Sequence, residues 1–195
     1  MILPISAYGS PILKQTAKPI DNNFPELNSL IFDMWETMYS ANGVGLAAPQ
    51  IGKSIRVFIV DTKPFSEDEK LTKIESDELA CFKKVFINPK IIEQNGEFWD
   101  FNEGCLSIPE IREDVSRKEI VKINFLNQNF EDQTLVLKGI IARVVQHEYD
   151  HLEGILFTDR LSSFKKRIIK GKLDNVLKGK VETDYKMLFY NKKNK

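Results

Sequence analysis

Apolar residues along this chain fall into a few periodic runs. Leu27, Leu30, Ile31, Met34 and Met38 recur at three- and four-residue spacing. That spacing predicts a helix over about residues 24–39, with Pro25 in its first turn. A glycine-rich loop, Gly43-Val44-Gly45-Leu46, follows, and the run IRVFIV at 55–60 reads as a buried strand. Residues 62–84 are charged and poorly periodic, with Pro64 near their start, and read as a long loop or insertion with room for a short helical turn. Segments 85–93, 119–126 and 134–137 are β-branched and partly alternating, the pattern of strands. A second helix is expected over about 138–152, stopped by Gly154. A third is expected over about 161–177, with Leu161, Phe164, Ile168 and Val176 on or near one face. Gly171 weakens it by up to about 1 kcal/mol relative to Ala. Strands and helices do not alternate regularly, so the pattern fits α+β better than a doubly wound sheet.

Composition narrows the class. The 195 residues can bury one sizeable core, so a single domain over 1–195 is the default. With 42% hydrophobic and 29% charged residues, the chain is neither disordered nor fibrous. No apolar run approaches the roughly 20 residues of a membrane helix. The start, MILPISAYGSPILKQ, lacks the basic and apolar regions of a signal peptide. Two cysteines do not make a disulfide framework, so the expected home is the reducing cytoplasm.

The formal charge is zero, but it is unevenly spread. From Arg160 onward there are 12 Lys and Arg against 3 Asp and Glu, +9; residues 1–159 hold 16 against 25, −9. An acidic body with a basic tail, about 180–195, suggests contact with something anionic. The plainer reading is a solvated helix followed by a frayed end.

The sharpest chemical signal is His147-Glu148-Tyr149-Asp150-His151. Residues four apart on a helix share a face, so two imidazoles can grip one divalent metal. Glu148 is offset so that it can handle a proton on a metal-bound water, the H-E-x-x-H arrangement. The alternative, two ordinary helix histidines, must explain why both histidines of the chain fall in one five-residue motif. Ile140, Val144, His147 and His151 form one stripe, so the metal face continues into an apolar wall suited to an apolar substrate side chain. Ile141, Val145 and Leu152 form the neighbouring stripe, which reads as core.

Two histidines leave a tetrahedral site incomplete. The metzincin continuation fails at Phe157, and Glu182, the downstream carboxylate a thermolysin-like site would need, lies in the basic tail. That leaves a cysteine. Cys105 occupies a turn-like segment, Glu103-Gly104-Cys105-Leu106-Ser107, while Cys81 reads as a free thiol without a role. A Cys-His-His set keeps the fourth position open for water, the mark of a catalytic site. A third segment, GVGLAAPQ at 43–50, brings bare backbone close to something. Its Gln50 amide could donate to an oxyanion, although a purely structural loop would look the same.

Together the three segments resemble the peptide deformylase family, which carries G-x-G-L-A-A-x-Q, E-G-C-x-S and H-E-x-D-H in that order. Here they are GVGLAAPQ (43–50), EGCLS (103–107) and HEYDH (147–151). The likeness runs from about residue 3 to about residue 177, and residues 62–84 and 180–195 match least. It implies small antiparallel or mixed sheets around a central metal-binding helix, flanked by an N-terminal and a C-terminal helix. It implies removal of the N-formyl group from the initiator methionine of nascent chains, with release of formate. The implied metal ligands are Cys105, His147 and His151, with Glu148 as general base and acid. Gln50 and the Leu106 N–H would hold the oxyanion, and Gly45 and Gly104 would pair with the substrate backbone. Val44, Phe101, Ile140, Val144 and the aliphatic stem of Arg143 would receive the methionine side chain, with Arg112 near the mouth. One divalent metal per chain is implied, Fe(II) first, with zinc, nickel or cobalt accepted. An enzyme of nascent chains would gain from a transient ribosome contact through Lys165, Lys166, Arg167 and Lys170; neither membrane nor DNA is an expected partner. The rival readings are an H-E-x-x-H metallopeptidase, which lacks its third ligand here, and a structural metal module or ribosome-binding protein.

Overall fold

The computed structural model describes residues 1–190, so the end of the basic segment expected at 180–195 lies outside the described residues. In order, the chain forms β1 (Ile5–Ser6), α1 (Leu27–Ser40), β2 (Gly45–Ala47), β3 (Val57–Asp61), α2 (Lys73–Cys81) and β4 (Lys83–Cys105). It continues with β5 (Ile108–Leu126), β6 (Asp132–Lys138), α3 (Gly139–Leu152), α4 (Ser163–Leu177) and β7 (Met187–Leu188). Strands β2-β3-β4-β5-β6 make one antiparallel sheet, and β1 pairs with β7 in parallel. The arrangement is α+β, as the irregular order of elements predicts.

The sheet is covered on both faces. α1 buries Leu27, Ile31, Met34 and Met38 against Val57, Ile59 and Ile87. α3 packs Ala142, Val144 and Val145 against Phe58, Phe86 and Val121. α1 starts at Leu27 rather than at residue 24, because Glu26 adopts a left-handed backbone (φ 56°) that precludes a helical turn before it. Pro25 therefore precedes the helix instead of opening it.

Three expectations change. The charged insertion is not a simple loop. It holds a short 3-10 turn, Lys63–Phe65, and the nine-residue helix α2. Thr72 and Glu75 cap α2 reciprocally, the Thr72 N–H donating to Glu75 Oε2 at 2.8 Å and the Glu75 N–H to Thr72 Oγ1 at 3.3 Å. Only Leu79 of α2 is buried, so its apolar periodicity is faint while its cap is legible.

β4 and β5 are also far longer than residues 85–93 and 119–126. They form one hairpin turned by Leu106 and Ser107, with Cys105 paired to Ile108. Register shifts at Ile91/Glu93 and Asn95/Phe98 reset the in–out alternation, which hides the strand from a period-two reading.

Finally, the buried face of α4 is only partly the predicted one: Val176 is buried as expected, but its companions differ. Phe164 and Ile168 are 70% and 62% exposed, whereas Ile169, Leu173 and Val176 pack against Ile108, Ile111 and Val115 of β5. Leu161 precedes the helix and is buried. Gly154 ends the α3 region with φ +71°, and a Cβ there would stand 2.7 Å from the Lys14 backbone, so only glycine fits. No helix among the described residues is long and apolar enough to cross a membrane.

Candidate active site

α3 runs through the interior with every residue from Ala142 to Glu148 buried, and with Asp150, His151 and Leu152 buried beyond them. Its i, i+4 spacing sets the His147 and His151 rings 5.2 Å apart, nearly perpendicular at 78°. The end of β4 delivers Cys105 to the same point, with Sγ 3.3 Å from His151 Nε2. The donor atoms of Cys105, His147 and His151 all lie within 4.8 Å of one another. One soft thiolate and two imidazoles suit a divalent transition-metal ion, and the set leaves a position open. The three sequence-predicted ligands thus converge.

Behind His147 is a buried charge network. Its Nδ1–H donates to Glu103 Oε2 at 2.9 Å, which turns Nε2 toward the cysteine. Arg117 donates to both Glu103 oxygens at 2.7 and 2.9 Å and to Asp150 Oδ2 at 2.6 Å, and Arg160 meets Asp150 from outside. Burial alone would raise the Glu103 carboxyl, but Arg117 and His147 hold it well below the usual carboxylate range. Burial also opposes a charged His147, yet Cys105 and Glu103 hold it well above the usual imidazole range. His151 is held well below that range by burial, then by the positive charges of His147 and Arg117.

Glu148 is 4% exposed and its Oε2 has no hydrogen-bond partner among the described residues. Burial pushes its carboxyl up to about 7. Gly45 in β2 lies directly against it: a Cβ there would stand 2.4 Å from Oε1 and 2.7 Å from the carboxyl carbon. The glycine of the 43–50 loop is therefore a steric requirement of the glutamate. Gln50 lies in the 3-10 turn Ala48–Ile51. The Ala47 N–H donates to its Oε1 at 2.8 Å, and its Nε2 points to Ser107 Oγ at 3.3 Å and Cys105 Sγ at 3.6 Å.

These groups face a cavity of roughly 540 Å³, lined in part by Val44, Gly45, Phe101, Gly104, Arg112, Arg143 and Val144, together with Gln50, Leu106 and Glu148. Ile140 is not among its lining residues; it is half-buried against the core beside Leu137 and Val144. Arg143 contributes differently from an aliphatic wall. Its guanidinium is buried, donates to Glu103, Val115 O and Trp99 O, and lies 4.4 Å from the Trp99 ring centroid. Arg112 is exposed and donates to Asn102 at the cavity edge. Phe65, from the charged insertion, lines the cavity 6.1 Å from the Phe101 ring.

Several of these residues escape sequence reading. Glu103 and Asp150 lie inside the EGCLS and HEYDH motifs, so motif membership was their signal. Arg117 sits in an unremarkable stretch, VSRKEI, and nothing local marks it. The C-terminal segment hides another: Tyr185 donates to the Leu106 carbonyl at 2.8 Å, and burial and Cys105 push its hydroxyl up to about 12.

An α+β chain in which an H-E-x-x-H helix and a strand-end cysteine form a Cys-His-His cluster defines a metal-binding hydrolase. Residues 2–167 match the family model for polypeptide deformylase. The chain is 58% identical to a peptide deformylase of Christiangramia forsetii, covering 99% of this chain and 98% of that one. It is 54% identical to one from Flavobacterium johnsoniae, covering 97% and 96%. Among solved structures it resembles a peptide deformylase from Legionella pneumophila at 36% identity and a TM-score of 0.76, over 92% of this chain and 98% of that one. It also resembles Arabidopsis thaliana peptide deformylase 1B at 34% identity and a TM-score of 0.77, over 91% and 92%. The chain belongs to the peptide deformylase family and is an enzyme.

Proposed function

We propose that this enzyme removes the N-formyl group from the initiator methionine of nascent polypeptides, releasing formate and a free amino terminus. The observation that carries this reading is one cavity in which a buried Glu148 carboxylate, its Oε2 without a hydrogen-bond partner among the described residues, stands beside the Cys105–His147–His151 cluster, with the Gln50 amide across from it. Cys105, His147 and His151 would hold one divalent ion, with Fe(II) the native choice and zinc, nickel or cobalt tolerated by the same donors. When bound, the ion supplies Lewis acidity and eases ionisation of a water. Glu148 takes the proton of the attacking water and passes it to the departing amine, a role suited to a carboxyl raised to about 7. Gln50 Nε2–H and the Leu106 N–H donate to the oxygen that gains charge, and losing one such donor typically costs roughly 10²–10³ in rate.

Gly45 and Gly104 leave room for the substrate backbone. Val44, Phe101 and Val144 receive the methionine side chain, and Arg112 meets the chain beyond it. A formyl carbon bears only hydrogen, so a tight cavity admits it and rejects acetyl. The enzyme acts as a single catalytic domain in the cytoplasm, touching ribosomal RNA through the basic face of α4. Arg167 and Lys170 are exposed there, while Lys165 and Lys166 already donate to Asp114 O and Asp159 O.

The test is anaerobic purification with metal analysis and a formyl-Met-peptide assay on one sample, beside acetyl-Met-peptide and casein. Formate release with about one metal ion per chain is expected on stoichiometry. Comparable turnover of the acetyl peptide would remove the steric argument, and casein cleavage would favour a peptidase.

A further inference from the structure

The turn Leu106-Ser107 carries the backbone N–H that the proposed mechanism aims at the oxyanion, and it is only two residues long. Three separate elements hold it. Gln50 Nε2 donates to Ser107 Oγ at 3.3 Å. The Tyr8 N–H donates to Ser107 O at 2.8 Å. The Tyr185 hydroxyl donates to Leu106 O at 2.8 Å, from a segment 79 residues further along the chain. The last two are parts of one device. The Ile5 and Ala7 N–H groups donate to Lys186 O and Leu188 O at 2.9 Å, and the next N–H after Ala7, that of Tyr8, reaches the turn. One short stretch of backbone therefore clamps the C-terminal segment on one side and the active-site turn on the other. The Tyr185 ring packs against the apolar cluster of α1 and β2 beside Leu106, so its hydroxyl cannot easily swing away.

We propose that Tyr185 is a positioning residue of the deformylase reaction: the C-terminal strap, residues 183–189, steadies the Leu106-Ser107 turn through the Tyr185–Leu106 hydrogen bond. The carbonyl it holds lies one peptide unit beyond the N–H that would meet the oxyanion, and with only two residues in the turn, fixing that carbonyl together with Ser107 O restricts the Leu106 φ and ψ that aim the N–H. Oxyanion stabilisation depends on donors that need no reorganisation as charge develops. Loss of the hydroxyl therefore acts on the transition state more than on substrate binding. The strap makes the segment after α4 part of the site. The proposal rests on the assignment of the Leu106 N–H to the oxyanion.

Tyr185→Phe keeps the ring and its packing and removes only the donor. Its kcat on a formyl-Met peptide should fall about five- to tenfold, the span of one neutral hydrogen bond, with KM and metal content unchanged. Amide hydrogen exchange should accelerate at Leu106 and Ser107 but not at Val60, in the sheet interior. A kcat within about twofold of wild type, an unaltered Leu106 exchange rate, or an equal acceleration at Val60 each overturns the proposal. Gln50→Ala, measured alongside, separates the layers. If Gln50→Ala loses its activity and Tyr185→Phe does not, the strap proposal alone falls. If Gln50→Ala turns over at the wild-type rate, the oxyanion assignment falls and takes the proposal with it.

Discussion

The two long helices of the C-terminal half, α3 with 14 residues and α4 with 15, meet the rest of the molecule in different ways. α3 is enclosed. Ten of its residues are buried, among them five with charged or titratable side chains, Arg143, His147, Glu148, Asp150 and His151. α4 buries only Ile169, Leu173 and Val176 and turns its lysines outward. Charge inside a protein persists when it is paired, ligated or used in chemistry. In α3 the pairing is visible: Asp150 to Arg117 and Arg160, Arg143 and His147 to Glu103. Among the described residues Glu148 is the buried acid left without a hydrogen bond to one of its oxygens, and it faces the cavity. α3 thus separates groups that hold the site from the group free to react, while α4 carries no such division.

The largest test of that division is Glu148→Ala. Removing a positioned acid–base group typically costs roughly 10²–10⁴ in rate. The metal should stay, because Glu148 is outside the Cys105–His147–His151 set. Steady-state kcat and metal content on the same preparation decide it; deformylation near the wild-type rate would contradict the role.

Next is Arg117→Met. The substitution leaves Glu103 and Asp150 buried without their shared guanidinium, and breaking a buried pair in this way costs about 3–5 kcal/mol. Glu103 would then hold His147 less firmly, and second-layer loosening of this kind lowers metal affinity by roughly 10- to 100-fold. Denaturant unfolding and a competitive chelator titration read the two effects. A variant as stable as wild type would show that the network is not what keeps α3 charged and buried.

The contrast also explains what the sequence discloses. In α3 the helix and its chemistry are both written in local spacing, as His147 and His151 one turn apart with Glu148 between. Arg117 is not legible, because its partners lie 14 and 33 residues away and only the fold joins them. Ile140 follows the His stripe yet stays out of the cavity, since it begins the helix near β6 and packs into the core there. The hairpin beyond residue 94 is hidden by bulges, and α2 by its single buried residue. On α4 two apolar stripes compete, Phe164/Ile168 and Ile169/Leu173/Val176. Docking onto Ile108, Ile111 and Val115 of β5 selects the second, a choice that no period in the helix itself expresses.

That selection orders the remaining effects. Ile169→Ala empties a site 3% exposed and should destabilise by about 2–5 kcal/mol in chemical denaturation, as buried aliphatic truncations do. Phe164→Ala, five positions earlier, should do almost nothing. The larger side chain is removed, but it is 70% exposed, so little apolar area returns to water and no cavity opens. Surface changes away from caps and networks stay within about 0.5 kcal/mol. Ser162, which caps α4 by accepting from the Lys165 N–H at 3.3 Å, is untouched by the substitution. The residue sizes alone would rank Phe164 first, and the predicted stripe would too. A loss of stability at Phe164 equal to that at Ile169 would mean that α4 presents the other face in solution. It would then move Lys165 and Lys166 off Asp114 and Asp159 as well, since rotating the helix carries all of them together.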